Sequence, residues 1–192
     1  FTPDYEYVEM LRQRGKADLA DDLEDFYRKL ESSTIVWVNQ PKPLGFGDAV
    51  LRAKPFVGGE HFVVHAGDTY IASDGLGHIK SLLSVHERLG ADATFLVWEV
   101  EDPRAYGVII AEEAEESIYA VRGAVEKPKE PPSNLAILPL YAFHPVVFKA
   151  LEVTKPGVGG EIQLTDAIQR LVEWGLKVYA VKLGEAVVRL DI

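Results

Sequence analysis

Four separate segments of this 192-residue chain carry residue types and spacings suited to chemistry. In QPKPLGFGDAV, Gly45 and Gly47 would let backbone amides approach a flat base or a phosphate, and Gln40 offers the paired donor and acceptor that read a pyrimidine edge. A tight turn rich in Gly and Pro is the plainer account of the same string. Asp68 closes the apolar run FVVHAGD, and in open α/β sheets ligands gather beyond the carboxyl ends of strands, where one or two carboxylates can hold a divalent cation. The same residue type also caps turns. In EKPKEPPSNLA, Glu126 can accept hydrogen bonds from sugar hydroxyls while Lys127 meets a phosphate as a point charge; a solvated Glu-Lys pair beside a proline-rich turn is the alternative. In GGEIQLTDAI, Glu161 follows two glycines at a helix start, with Thr165 and Asp166 expected on the solvent side.

Composition narrows the partners. A formal net charge of -10 argues against nonspecific binding to nucleic acid or to an anionic membrane, both of which need a positive field. An anionic substrate therefore needs local lysines or a metal ion. With no cysteine, disulfides and thiolate zinc sites are excluded, and with 47% hydrophobic residues the chain can bury a sizeable core. No apolar run reaches bilayer length, so the chain reads as soluble and cytoplasmic.

The elements that must position those residues follow from periodicity. Leu19, Leu23, Phe26, Tyr27 and Leu30 predict an amphipathic helix, preceded by a shorter one before Gly15. TIVWV (34–38) predicts a buried strand, and Asp48 a cap for a helix ending before Pro55. FVVHA (62–66), a helix through Ile79 to His86, and ATFLVWEV (93–100) continue the alternation of a parallel sheet. Residues 106–125 predict shorter antiparallel strands around EEAEES. LAILPLYAF (135–143) is strand-like, with Pro139 placing it at an edge or bending it. Helices are predicted at 146–153 and 164–174, and strands at 178–182 and 187–191. The expected fold is a Rossmann-like α/β domain over residues 1–192, its mixed, mostly parallel sheet flanked by helices.

In this order the segments resemble the sugar-nucleotide pyrophosphorylases, in particular their bacterial and archaeal UTP:glucose-1-phosphate uridylyltransferase branch. PLGFGDAVLRAKPFVG, VEKPKEPPSNLAI and TKPGVGGEIQLTDAI are each long and specific, and the resemblance covers nearly the whole chain. The helical insert before the glycine loop also resembles that branch more than the shorter thymidylyltransferases. The resemblance implies a nucleotide-diphospho-sugar transferase fold, with Gln40 and Gly45 on the uracil and Asp68 and Asp191 on Mg²⁺. It likewise implies that Gly107 meets the sugar, that Glu126 and Lys127 hold the glucose hydroxyls and phosphate, that Glu161 binds further hydroxyls, and that Tyr141 lines the pocket. Asp68, Lys127 and Asp191 are the implied catalytic residues, and a homo-oligomer is common among relatives.

The implied reaction is attack by the phosphate of glucose 1-phosphate on the α-phosphorus of UTP, giving UDP-glucose and pyrophosphate. Two departures qualify it. The family opens with a strand and a GxGTR loop, then a lysine, which grip the triphosphate; neither is in this sequence, so the domain is expected to be cut short at both ends and to turn over little alone. Pro139 also stands where relatives have a Gly whose N–H can bond the sugar. A thymidylyltransferase and a catalytically silent nucleotide-sugar-binding relative are the alternatives. A dinucleotide-binding oxidoreductase fits poorly, because Gly45 and Gly47 lack the third glycine of G-x-G-x-x-G.

Overall fold

The computed structural model describes residues 2–184 and the backbone of Val188–Asp191. The chain divides into two units, Phe1–Asn39 and Gln40–Ile192.

The first unit is a helical hairpin of α1 (Tyr5–Gln13) and α2 (Ala17–Glu31). The Asp4 carboxylate accepts from the Tyr7 N–H at 2.9 Å and so caps the first helix. Val8, Leu11 and Ala20 are buried between the helices, with Leu23 and Tyr27 packed against them. Arg12 forms ion pairs with Glu9 and with Asp21 and Glu24 of the second helix. Of the predicted apolar face, Leu19 and Phe26 are exposed. The segment TIVWV differs more: it forms no strand, and Ile35, Val36, Trp37 and Val38 are exposed, Trp37 by 80%. β-Branched residues favour a strand only where a pleated, half-buried surface is available to them, and no described strand pairs with this one.

The second unit contains, in chain order, α3 (Phe46–Arg52), α4 (Lys54–Val57), β1 (Phe62–His65), β2 (Thr69–Ala72), α5 (Gly77–Arg88), β3 (Ala93–Glu99), β4 (Gly107–Glu115), β5 (Ile118–Glu126), β6 (Leu135–Phe143), α6 (Val146–Val153), α7 (Leu164–Glu173), β7 (Val178–Lys182) and β8 (Val188–Asp191). Six strands form one sheet in the order β1-β6-β3-β7-β5-β4, and β2 pairs with β8 separately. Ala93 to Val97 are all buried because both faces of β3 are covered, as its continuous apolar run requires. On one face α5 contributes Leu82 and Val85 to a cluster with Leu96, Leu138 and Leu140. On the other, α6 and α7 bring Phe148, Leu151, Ile168 and Leu171 against Phe95, Tyr141 and Phe143.

The mixed α/β sheet flanked by helices is as expected; the mostly parallel pairing is not. Among the described strands only β3 and β7 pair in parallel. β1 and β3 do run in the same direction, as the strand-helix-strand alternation implies, but β6 lies between them and is antiparallel to both. Periodicity reads neighbours in sequence and carries no signal for a strand inserted from further along the chain. Pro139 is accordingly not at an edge. It sits in a bulge of this internal strand, where the register steps from Phe95↔Tyr141 to Leu96↔Leu138 and no ladder bond is asked of its nitrogen. No helix among the described residues is long and apolar enough to cross a membrane.

One titratable cluster lies under α5. His86 is 3% exposed. Its Nδ1 is 3.0 Å from the Thr94 hydroxyl and its Nε2 2.7 Å from His61 Nδ1. Burial, and then the neighbouring His61, hold the imidazole below its usual 6.5. The folded chain therefore prefers neutral His86, a contribution complete above pH 6.5 and lost as the pH falls below that value, where only the unfolded chain binds the proton freely. Thermal melts are expected to show a midpoint that falls as the pH drops below 6.5, and His86→Asn to flatten that slope; an unchanged slope in the variant would argue against this origin.

Candidate active site

β1 ends at His65, and the Ala66 N–H still donates to Pro139 O at 3.0 Å, so the chain leaves the sheet at Gly67 and Asp68. Asp68 is exposed at the lip of a cavity of about 350 Å³ whose lining includes Gly107, Glu126, Tyr141 and Thr165. β2 begins directly after it, and Thr69 pairs in register with Asp191. The backbone thus brings Asp191 within one residue of Asp68 in the ladder, while the Asp191 carboxylate lies outside the described residues. A wider depression of about 560 Å³, lined by His61, His86 and Glu87, holds none of the expected site residues.

The β4–β5 hairpin supplies the next pair. Gly107 and Glu126 stand directly opposite in its register. Thr165, at the start of α7, donates to Glu126 Oε2 at 2.6 Å across the top of Gly107. A Cβ on Gly107 would lie 2.6 Å from the Thr165 hydroxyl and 3.0 Å from Glu126 Oε2, so glycine is there for space. Lys127 follows in the left-handed region at φ 43, which costs a non-glycine residue about 1 kcal/mol. Its N–H donates to Tyr106 O at 3.0 Å, and its ammonium is 3.9 Å from Glu126 Oε1. Tyr141 is 5% exposed in the cavity wall. Burial first, then the Glu126 and Asp68 carboxylates, raise its phenol above the usual 10.0, which keeps the O–H a donor. We expect Gly107→Ala to displace the Glu126 carboxylate and weaken ligand binding about tenfold, the loss of one well-placed hydrogen bond, as read by titration calorimetry.

The glycine loop and the segment after Gly160 are joined by backbone bonds. Ile162 N–H donates to Leu44 O, and Gly47 N–H donates to Ile162 O, each at 2.8 Å. This contact sets Glu161 beside Gly45. The Glu161 carboxylate accepts from Gln163 Nε2 at 3.1 Å, and Gln163 lines the cavity. Gln40 turns its amide back onto the loop, donating to Gly45 O at 3.1 Å and to Asp48 Oδ2 at 2.8 Å. Asp48 lies in the first turn of α3, whose N-cap is Gly45, so it does not cap that helix as expected.

Of the nine residues expected at a site, Asp68, Gly107, Glu126 and Tyr141 line one cavity; Lys127 and Glu161 adjoin lining residues. Gln40 and Gly45 belong to the loop that holds Glu161, and Asp191 enters through its backbone alone. Thr165 corrects the sequence reading: it is 6% exposed and faces Glu126, not solvent. Asp166 is half-buried against the Gly157 turn, and burial raises its carboxyl against the opposing effect of Arg170. The signal for Thr165 was its place three residues before Ile168, on the apolar stripe of α7.

A strand-end carboxylate, a glycine-loop residue and a hairpin Glu around one cavity on a mixed sheet form the kind of cleft in which α/β domains hold small ligands. The chain belongs to the nucleotidyl transferase family, whose sequence model matches residues 8–186. It is 43% identical over 166 residues to UTP-glucose-1-phosphate uridylyltransferase of Staphylococcus epidermidis, covering 84% of this chain and 56% of that protein. Against the enzyme of the same name from Bacillus subtilis the identity is 38% over 167 residues, covering 85% of this chain and 56% of that protein. Among solved structures, a UDP-glucose pyrophosphorylase complexed with UDP-glucose superposes with a TM-score of 0.84 at 30% identity, over 91% of this chain and 66% of that one. UTP-bound UGPase from Acinetobacter baumannii gives 0.77 at 31% identity, over 100% and 66%. The chain therefore spans a little over half the length of these curated relatives.

Proposed function

We propose that this chain contributes the base-, sugar- and metal-binding parts of a UTP:glucose-1-phosphate uridylyltransferase, which forms UDP-glucose and pyrophosphate from UTP and glucose 1-phosphate. The observation that carries the reading is the meeting of Asp68, Gly107, Glu126 and Tyr141 around one cavity, with Glu161 set alongside by the bonds between its neighbour Ile162 and the glycine loop. The relatives named for this activity support the choice of reaction.

In this reading Glu126, its orientation held by Thr165, accepts from glucose hydroxyls, and the Tyr141 O–H stands beside it as a donor. Glu161 takes further hydroxyls. Lys127, clamped by its left-handed backbone and its bond to Tyr106 O, presents its ammonium to the sugar phosphate and offsets the repulsion between two anionic substrates. Gln40 and the Gly45 backbone meet the base. The nucleophile is already an anion, so no side chain need remove a proton; the residues bring the phosphates into line.

The donor set also suits a divalent cation, for which we propose Mg²⁺. Among the described residues no cluster of three or more acidic, His or Cys side chains is built to enclose an ion. Asp68 with Asp191 one ladder position away matches instead the habit of Mg²⁺, which keeps water and phosphate oxygens and takes one or two carboxylates. Bound there, the ion would supply charge stabilisation at the phosphates.

The test is pyrophosphate release from UTP and glucose 1-phosphate by the full-length protein that contains this chain. Release dependent on Mg²⁺ and faster with UTP than with dTTP is expected. No release, with UDP-glucose still bound, would replace the enzyme by a binding relative.

A further inference from the structure

The amide of Gln40 has only one orientation open to it. Both of its donors are spent inside the loop, on Gly45 O at 3.1 Å and on Asp48 Oδ2 at 2.8 Å. Turning the amide over would set its carbonyl oxygen against a backbone carbonyl and a carboxylate, two repulsive contacts in place of two bonds. Asp48 is itself fixed: it is 6% exposed, and Arg52, one turn later in α3, donates to Oδ2 at 2.9 Å and to Oδ1 at 3.3 Å. The bond from Gln40, then that from Arg52, holds the carboxyl below its usual range against the opposing effect of burial, so Asp48 is an anion at neutral pH. No described donor meets Gln40 Oε1, which leaves that carbonyl as the group the half-buried side chain has to offer a ligand.

We propose that Asp48 is a positioning residue that makes Gln40 a pure hydrogen-bond acceptor, and that this selects bases carrying a ring imide N–H, uracil and thymine, over cytosine. A uracil N3–H would donate to Oε1. Cytosine presents a lone pair at the same ring position and would meet Oε1 acceptor to acceptor. The lock does not separate uracil from thymine, since both carry the imide. The inference rests on the reading of the glycine loop as the base-binding segment, and it adds to that reading a residue that touches no ligand.

The experiment titrates the ¹⁵N-labelled chain with UDP-glucose and with CDP-glucose at millimolar concentrations, followed by NMR. Binding of UDP-glucose at least tenfold tighter than CDP-glucose is expected, the scale set by one polar group left unpaired against its partner. The two Gln40 side-chain amide protons should stay where they are as UDP-glucose binds, because their partners do not change. In Asp48→Asn the charged one of the two acceptors that fix the amide is lost while Gly45 O remains, so the hold is weakened and the preference should shrink, to about threefold or less. Equal affinity of the parent chain for the two nucleotide sugars would overturn the inference and leave the nucleotide-sugar site standing. Binding of neither would overturn the site itself, and the inference with it. A folded Asp48→Asn chain that keeps its full preference would remove Asp48 from the account. Should that variant fail to fold, the amide protons of the parent chain decide alone, since a large shift on adding UDP-glucose would show that Gln40 reads the base as a donor.

Discussion

Gly45→Ala is expected to lower the stability of the second unit by about 3 kcal/mol and to abolish measurable ligand binding. Two costs combine. At φ 104 and ψ 169 the residue occupies a region open essentially to glycine alone, which a side chain enters at about 1–3 kcal/mol. An added Cβ would also lie 2.7 Å from Glu161 Cβ and, against backbone that cannot yield locally, 2.8 Å from Ile162 O and 2.9 Å from Ile162 N. Relief requires the loop to lift from residues 161–162. That breaks the bonds Ile162 N–H to Leu44 O and Gly47 N–H to Ile162 O, at about 1 kcal/mol each. A unit of this size should then melt about 6–12 °C lower. A midpoint within about 2 °C of the parent would mean that the loop is not held as described. Binding suffers beyond stability because lifting the loop separates Gln40 and Gly45 from Glu161.

Asp68→Asn should give the opposite profile. The side chain is exposed and its bond from the Thr69 hydroxyl is long, at 3.4 Å, so the fold should be disturbed by no more than about 0.5 kcal/mol. Asparagine keeps the shape and an acceptor oxygen but loses the charge that attracts a divalent cation. In the full-length protein turnover should fall about a thousandfold, the order of the several kcal/mol that a metal ion supplies at developing phosphate charge. In the isolated chain, Mn²⁺ added with UDP-glucose should broaden NMR signals near Thr69 in the parent and leave the variant sharp. Equal broadening in both would take Asp68 out of the metal site.

Much of this arrangement is legible in the sequence, and the rest has identifiable reasons. The helices Val146–Val153 and Leu164–Glu173 and the strand Val178–Lys182 fall where periodicity puts them, since each is a short amphipathic or wholly apolar run bounded by Pro or Gly. The insertion of LAILPLYAF between two strands that precede it was not legible, because register between distant strands is decided by packing on both faces. TIVWV misled for a related reason: its composition states what a neighbour would favour, not whether a neighbour is present. At the site, charged residues at strand ends were visible as residue types. Their second partners, Thr165 for Glu126 and Asp48 for Gln40, were not, because a hydrogen bond across 39 or 8 residues leaves no local pattern.

The place of β6 has a consequence for how the chain comes to be folded at all. β1 has only β6 as a described ladder partner, and β3 has only β6 and β7, all of them later in the chain. At a synthesis rate of about 5–20 residues per second, β1 waits about 4–16 s for Phe143 to emerge. Until then the β4–β5 hairpin is, among the described strands, the one pairing of this sheet able to close. Such late, distant pairing favours slow folding and leaves the apolar segments FVVH and ATFLVWE open to wrong partners in the meantime.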